Sequence, residues 1–253
     1  MTSEQLFYDK KTGFDRLTDE DKQGIQTYAE GYKKFLDEAK TERDAVVEIA
    51  RMAEEHGFRA WTRDDTLRAG DKVYRINRHK GIMLAVIGQK SLAEGVRLTA
   101  AHLDAPRVDI RTVPLYEDNG MAFFKTHYYG GIRKYQWVTV PLELHGKVVR
   151  ADGSEVFVKI GADDGDPQFV INDLLPHLGA KQNTKTLAEG ITAEELNVLI
   201  ASQPIADKDA EQRIKLNILG MLNEAYGITE RDFTRAEIEV VPAHKARDIG
   251  LDR

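Results

Sequence analysis

Between Arg107 and Ile160 the sequence reads as strand after strand, and no other feature constrains the fold as much. Alternating apolar and polar positions rich in β-branched and aromatic residues mark 108–113, 121–126, 137–141, 142–150 and 155–160 as strands. Ala151-Asp152-Gly153-Ser154 joins the last two as a hairpin, because Asp-Gly readily supplies the positive φ of a tight turn.

The flanks follow a different period. Residues 18–56 predict two helices, with Thr18–Asp21 and Thr41–Asp44 as start signals and Gly57 as a stop. Val46, Val47, Ile49, Ala50 and Ala53 form an apolar stripe expected to pack into a core. Residues 72–77 and 82–88 bracket a turn at Arg78-His79-Lys80-Gly81, and 96–103 is a third strand, apolar enough to be central. Beyond the strand-rich run, 169–178 is expected to be partly helical and 179–208 is polar. A helix over 210–226, ended by Gly227, precedes a last strand over Ala236–Pro242. Helices mixed with strands predict an α/β fold carrying a β-rich insert. There is no internal repeat and no long low-complexity linker.

Composition narrows the functional classes. With no cysteine, disulfides and thiolate metal sites are excluded, so any zinc must be held by His, Asp or Glu. The net charge of −6, without a basic block, disfavours nucleic acid. No apolar stretch approaches the roughly 18–20 residues that span a bilayer. The polar segment from Met1 to Lys11 lacks the apolar run of a secretory signal, so a cytoplasmic protein is expected.

The chemistry centres on Ala101-His102-Leu103-Asp104-Ala105-Pro106, at the end of the third predicted strand. Residues i and i+2 of a strand share a face, so His102 and Asp104 are expected to point together. A zinc-binding imidazole needs a carboxylate or carbonyl on its other nitrogen to fix the tautomer, and Asp104 is placed for that. Alone, such a short pattern is weak and more often marks a satisfied polar pair.

Longer segments carry more. HLDAPR, PLYEDNGMAFFKTHYYGGIRKYQW, LELHGKVVRADG, INDLLPHL and EIEVVPAHKARDIGLDR occur in that order. Together they resemble the M18 metallopeptidases, the aspartyl-aminopeptidase-like zinc exopeptidases, in their N-terminal portion. The resemblance implies an α/β/α catalytic domain, incomplete here, interrupted by a β-rich dimerisation domain. The catalytic part would be 1–106 plus 242–253, and the insert 107–241. It implies two zinc ions per complete site, with cobalt or manganese as substitutes. It further implies peptide substrates with an acidic N-terminal residue, and dimers assembling into tetrahedral dodecamers. His102 matches the first metal-binding histidine of the family and Asp104 the acidic residue that orients it. His177 resembles the insert histidine that reaches a neighbouring subunit's site; a purely structural interface role is the alternative.

The family pattern continues past a KARDxGxDR-like segment to further acids, a Glu pair and a late histidine, whereas this sequence ends at Arg253. One histidine cannot make a two-metal site, so the chain alone is expected to lack the complete centre. The competing expectation is a non-catalytic assembly module whose insert dimerises. A third is aggregation through uncovered sheet edges and apolar surface.

Other patterns carry less. Asp163-Asp164-Gly165-Asp166 lacks the spacing and terminal Glu of an EF-hand and reads as a solvated turn. His127-Tyr128-Tyr129-Gly130-Gly131 is expected to be interface packing, and two glycines are too few to cradle a phosphate. Lys245, Arg247 and Arg253 are expected to pair with Asp248 and Asp252. His56, His79, His145 and His244 read as structural or exposed. There is no Ser-His-Asp pattern and no thiol nucleophile.

Overall fold

The structure, a computed structural model, describes residues 6–8 and 10–253; part of the polar segment Met1 to Lys11 therefore lies outside the described residues. The chain divides into two compact units, Met1–Ala39 with Lys245–Arg253, and Lys40–His244.

In the first unit, helix α1 (Asp19–Glu38) starts at the expected signal. The Thr18 side chain accepts from the Asp21 amide, and Asp21 reaches back to the Thr18 amide. The closing residues fasten to this helix through Lys33–Asp248 at 2.9 Å and the Ala246 amide on Asp37 at 2.6 Å. Arg253 pairs with Asp248 at 2.7 Å, one of the ion pairs expected for the terminal basic residues. Among the described residues no helix is long and apolar enough to cross a membrane.

The second unit begins with α2 (Glu42–Glu55), capped by Thr41 and Asp44 in the same reciprocal way. A small sheet of β1 (Arg59–Ala60), β2 (Lys72–Asn77) and β3 (Gly81–Val86) follows, in the order β1-β2-β3. Arg78 and His79 make the β2–β3 turn in the left-handed region. Ala50 and Ala53 of α2 pack on Tyr74, flanked by Phe58, Ile76 and Ile82. Val46 is fully buried, but Val47, one position along, is 66% exposed, so the stripe is narrower than its composition suggests.

The larger sheet holds seven strands: β4 (Arg107–Asp118), β5 (Met121–Tyr129), β6 (Leu142–Val149), β7 (Glu155–Ile160), β8 (Val170–Ile171), β9 (Val198–Ala201) and β10 (Ala236–Pro242). Their order is β7-β6-β10-β4-β5-β9-β8, antiparallel throughout, so the last strand in sequence sits between β6 and β4. The two faces differ sharply. Val108, Leu144, Val148, Ile238 and Val240 point into an apolar core together with Phe233 and Ile214, the latter on α3 (Arg213–Tyr226). Arg107, Asp109, Glu143, His145, Glu237 and Glu239 alternate with them and share the other face. There they meet Lys40, just before the cap of α2, and Glu42, Arg43 and Asp44 of its first turn. Gly227 ends α3 at φ 65°, the left-handed stop its sequence position predicts.

Three expected elements form differently. Residues 96–103 make no strand; Val96 and Leu98 are 68% and 82% exposed. A strand exists only through its ladder, and among the described residues this segment has no neighbour to pair with. Residues 137–141 are not a strand either, because Lys134–Gln136 is a helical turn and Thr139 adopts φ 63°. Residues 169–178 contribute only β8 and a turn, closed by the Leu178 amide on the Leu175 carbonyl.

Candidate active site

His102 and Asp104 come together, but not by the strand geometry expected of them, because residues 96–106 form no strand. His102 Nδ1 lies 2.8 Å from the main-chain oxygen of Asp104 and 3.4 Å from its Oδ1. A carbonyl oxygen can only accept, so Nδ1 is the donor nitrogen, and Nε2 points away from this contact on a side chain 83% exposed. That is the arrangement a zinc-binding imidazole requires. His102 thus fits as one metal ligand, while a single imidazole does not hold two ions.

The other Asp104 oxygen, Oδ2, accepts a 2.6 Å hydrogen bond from the Tyr129 hydroxyl. This bond is the main reason the Asp104 carboxyl titrates below its ordinary range and the Tyr129 phenol above its own. The Tyr129 ring in turn lies under the Arg107 guanidinium at 4.1 Å. Tyr129 sits within the aromatic–glycine segment expected to be interface packing; its tie to Asp104 was not legible in the sequence, because residues 104 and 129 are joined only by the β4–β5 pairing.

His177 is not brought to His102. It is exposed, in a loop whose Leu174, Leu175 and Leu178 are 55%, 59% and 64% exposed, and among the described residues it shares no hydrogen bond with His102 or Asp104.

Deeper in the same unit lies a charged cluster. Carboxylate oxygens of Glu42, Glu237 and Glu239 lie within 4.8 Å of one another. Three cations already occupy the space a metal would need. Lys80 bonds Glu42 at 2.9 Å and also Glu237; Arg43 bonds Glu237; Arg107 bonds Asp109 at 2.9 Å and approaches Glu239 and Glu42 at 3.5 and 3.6 Å. Burial, then the neighbouring Glu42 charge, pushes the Glu239 carboxyl up to about 8. The signal for this cluster was present: Arg107-x-Asp109, Glu143-x-His145 and Glu237-x-Glu239 each place charges on one face of a strand.

His145 is the second buried ionic node. Only 3% of its side chain is exposed, with Nδ1 2.8 Å from Asp44 and Nε2 3.0 Å from Glu143. Lys40 stands 3.3 Å from Glu143 and donates to the carbonyls of Pro242 and His244. The histidine is structural, as expected of it, but as a buried ion rather than a neutral ring.

Comparison with known proteins agrees with the sequence. Residues 35–253 match the family model for aminopeptidase I zinc metalloproteases (M18). A probable M18 family aminopeptidase 1 from Clostridium acetobutylicum is 44% identical over 252 residues, 98% of this chain and 54% of that protein. The crystal structure of an M18 aminopeptidase from Thermotoga maritima superposes with a TM-score of 0.89 at 39% identity, covering 97% of this chain and 53% of the other. Aminopeptidase I from Borrelia burgdorferi gives 0.84 at 36%, covering 96% and 55%. The S. cerevisiae mApe1 dodecamer, at 16% identity and a TM-score of 0.64 over 90% of this chain and 51% of its own, shares the fold. The chain spans about half the length of the relatives it matches. With the family model covering most of its length, the chain belongs to the M18 family of aminopeptidases.

Proposed function

We propose that this chain supplies part of the active centre of a two-zinc aminopeptidase that releases N-terminal, acidic residues from peptides. The observation that carries the reading is His102, its Nδ1 engaged by Asp104 and its Nε2 left open, inside the region matched to M18. His102 would ligate through Nε2, and Asp104 would hold the tautomer and raise the ring's basicity. When bound, zinc supplies Lewis acidity toward the scissile carbonyl and the attacking water; cobalt or manganese can serve a His/carboxylate site in its place. His177 would donate to the carbonyl oxygen of a substrate held by a neighbouring subunit, where negative charge develops in the transition state. Its exposed, leucine-flanked loop supports a role at such an interface. The remaining ligands and the general base would come from the part of the relatives' length that this chain does not span.

In this reading 107–241 is an inserted dimerisation domain, and 1–106 with 242–253 belongs to an α/β/α catalytic domain. The complete protein would be a cytoplasmic homo-oligomer, up to the tetrahedral dodecamer, acting on peptides without nucleic acid or membrane. The test is hydrolysis of an aspartyl or glutamyl chromogenic amide by the protein extended to its relatives' length, with zinc content measured alongside. His102→Ala should remove one zinc and lower turnover at least about 100-fold; unchanged zinc and turnover would sink the assignment.

A second reading keeps the same residues without the chemistry. The seven-stranded sheet has a core of its own, and the described residues offer a single candidate imidazole. The 253-residue chain would then be an assembly module, and sedimentation of a stable zinc-free dimer with no activity in the extended protein would favour it.

A further inference from the structure

The segment that carries His102 has no ladder to hold it, yet its end lies against the sheet. The contacts come from His127-Tyr128-Tyr129-Gly130-Gly131, the motif for which the proposed chemistry has no use. The Tyr129 hydroxyl donates to Asp104 Oδ2 at 2.6 Å. The face of the Tyr129 ring receives the Arg107 guanidinium at 4.1 Å, across a strand pair in which Arg107 and Tyr129 are directly opposite. Gly130, at φ 75°, lies beside Pro106, where an added Cβ would stand in ordinary van der Waals contact with it at 3.5 Å.

Arg107 does not float. It is 6% exposed, bonded to Asp109 at 2.9 Å and flanked by Glu239 and Glu42 at 3.5 and 3.6 Å. A chain of contacts therefore runs from the buried charged cluster through Arg107 and the Tyr129 ring to Asp104, and from Asp104 to His102 Nδ1.

We infer that Tyr129 is a positioning residue for His102: its hydroxyl clamps Asp104, and its ring, seated under Arg107, fixes the 102–106 segment to the end of β5. The bond is charge-assisted, phenol to carboxylate, and so stronger than a neutral one. It leaves one Asp104 oxygen and the Asp104 carbonyl for His102 while preventing the carboxylate from rotating away. The inference deepens the metal-ligand reading and rests on it for its functional meaning, but the clamp exists without metal and is testable without it.

The experiment uses the 253-residue chain labelled with 15N-histidine, in which long-range proton–nitrogen spectra read the tautomer of His102. The wild type should show His102 mainly as the Nδ1–H form. Tyr129→Phe keeps the ring under Arg107 and removes only the hydroxyl; it should lower the ratio of Nδ1–H to Nε2–H at least about threefold, because free imidazole prefers the other tautomer. Tyr128→Phe removes a neighbouring hydroxyl that makes no contact with Asp104 and should leave the ratio unchanged. Amide exchange at Val108 and Tyr128, paired across β4 and β5, confirms that the sheet is intact in each variant. An unchanged ratio in Tyr129→Phe would overturn the clamp and leave His102 free to be a ligand. A shifted ratio, with zinc content of the extended protein insensitive to His102→Ala, would keep the clamp and overturn the metal reading. If both hold, zinc affinity of the extended protein should fall about 10- to 100-fold in Tyr129→Phe.

Discussion

His145 should make stability depend on pH between about 6.5 and about 9. Burial alone would hold its imidazole neutral, but hydrogen bonds to Asp44 and Glu143 outweigh that and raise the pKa from its ordinary 6.5 to about 9. The same bonds hold both carboxyls below their usual range against the opposite push of burial. At about 1.4 kcal/mol per unit, a shift of this size corresponds to about 3 kcal/mol of stability. Because the folded state has the higher pKa, that contribution is complete below about 6.5 and is lost as pH rises through about 9. Removing the ring should show the same window from the other side. In His145→Ala, Asp44 keeps its cap bonds from Thr41 and Glu143 keeps Lys40 at 3.3 Å, but both carboxylates lose the imidazolium between them. Breaking a buried pair in this way typically costs about 3–5 kcal/mol. The assay is denaturant unfolding of both proteins, followed by tryptophan fluorescence at several pH values. At pH 6 the variant should be less stable by about 3 kcal/mol or more, and by pH 10 the difference should shrink below about 1 kcal/mol. A difference that stays constant between pH 6 and pH 10 would refute the doubly paired imidazolium.

Two further outcomes follow from the same sheet. Glu239 holds a proton in the folded state up to about pH 8 but would release it near 4.5 when unfolded, so it costs stability progressively as pH rises between those values. Glu239→Gln should therefore raise the unfolding midpoint at pH 8.5 and change it little at pH 4.5; an equal shift at both would contradict a buried protonated carboxyl. Gly146 faces Ile238 across the β6–β10 ladder, and a Cβ there would stand 2.6 Å from the Ile238 Cα and closer still to the Glu237 carbonyl. Gly146→Ala should cost about 3 kcal/mol or prevent folding, while an unchanged melting temperature would mean that β10 does not pack where the structure places it.

Much of this architecture was legible because it is written in local periods. Both helix caps, the β2–β3 turn, β6, β7, β10 and the left-handed stop at Gly227 lie where alternation, capping residues and glycine put them. The exceptions share one cause. Residues 96–103 have the composition of a central strand, but strand formation depends on a partner that composition does not report. Thr139 takes a left-handed conformation that its type rarely signals, and it breaks the expected strand at 137–141. At the candidate site, the His102–Asp104 pairing was readable from two residues of separation, and the family resemblance gave it meaning. Tyr129 was not readable, since its contact with Asp104 crosses 25 residues and depends on β4 pairing with β5. His145 was hidden for a similar reason: one of its carboxylates is two positions away, but the other lies 101 residues earlier.

The arrangement of charges on the sheet also bears on how the site is aimed. The hydrophobic effect is non-directional, so an apolar helix–sheet contact by itself leaves some freedom of register. The first turn of α2 has no such freedom. Asp44 must meet His145, Lys40 must meet Glu143, and Glu42 must meet Lys80 and Arg107, all at once. Arg107 opens β4, directly after the segment that carries His102 and Asp104. The ionic contacts that set the position of α2 therefore also fix the residue against which Tyr129 stacks. Such networks add little net stability over a well-packed apolar core. What they add is direction: they tie the start of α2 to named strand positions of the sheet, and through Arg107 to the unladdered segment that carries His102.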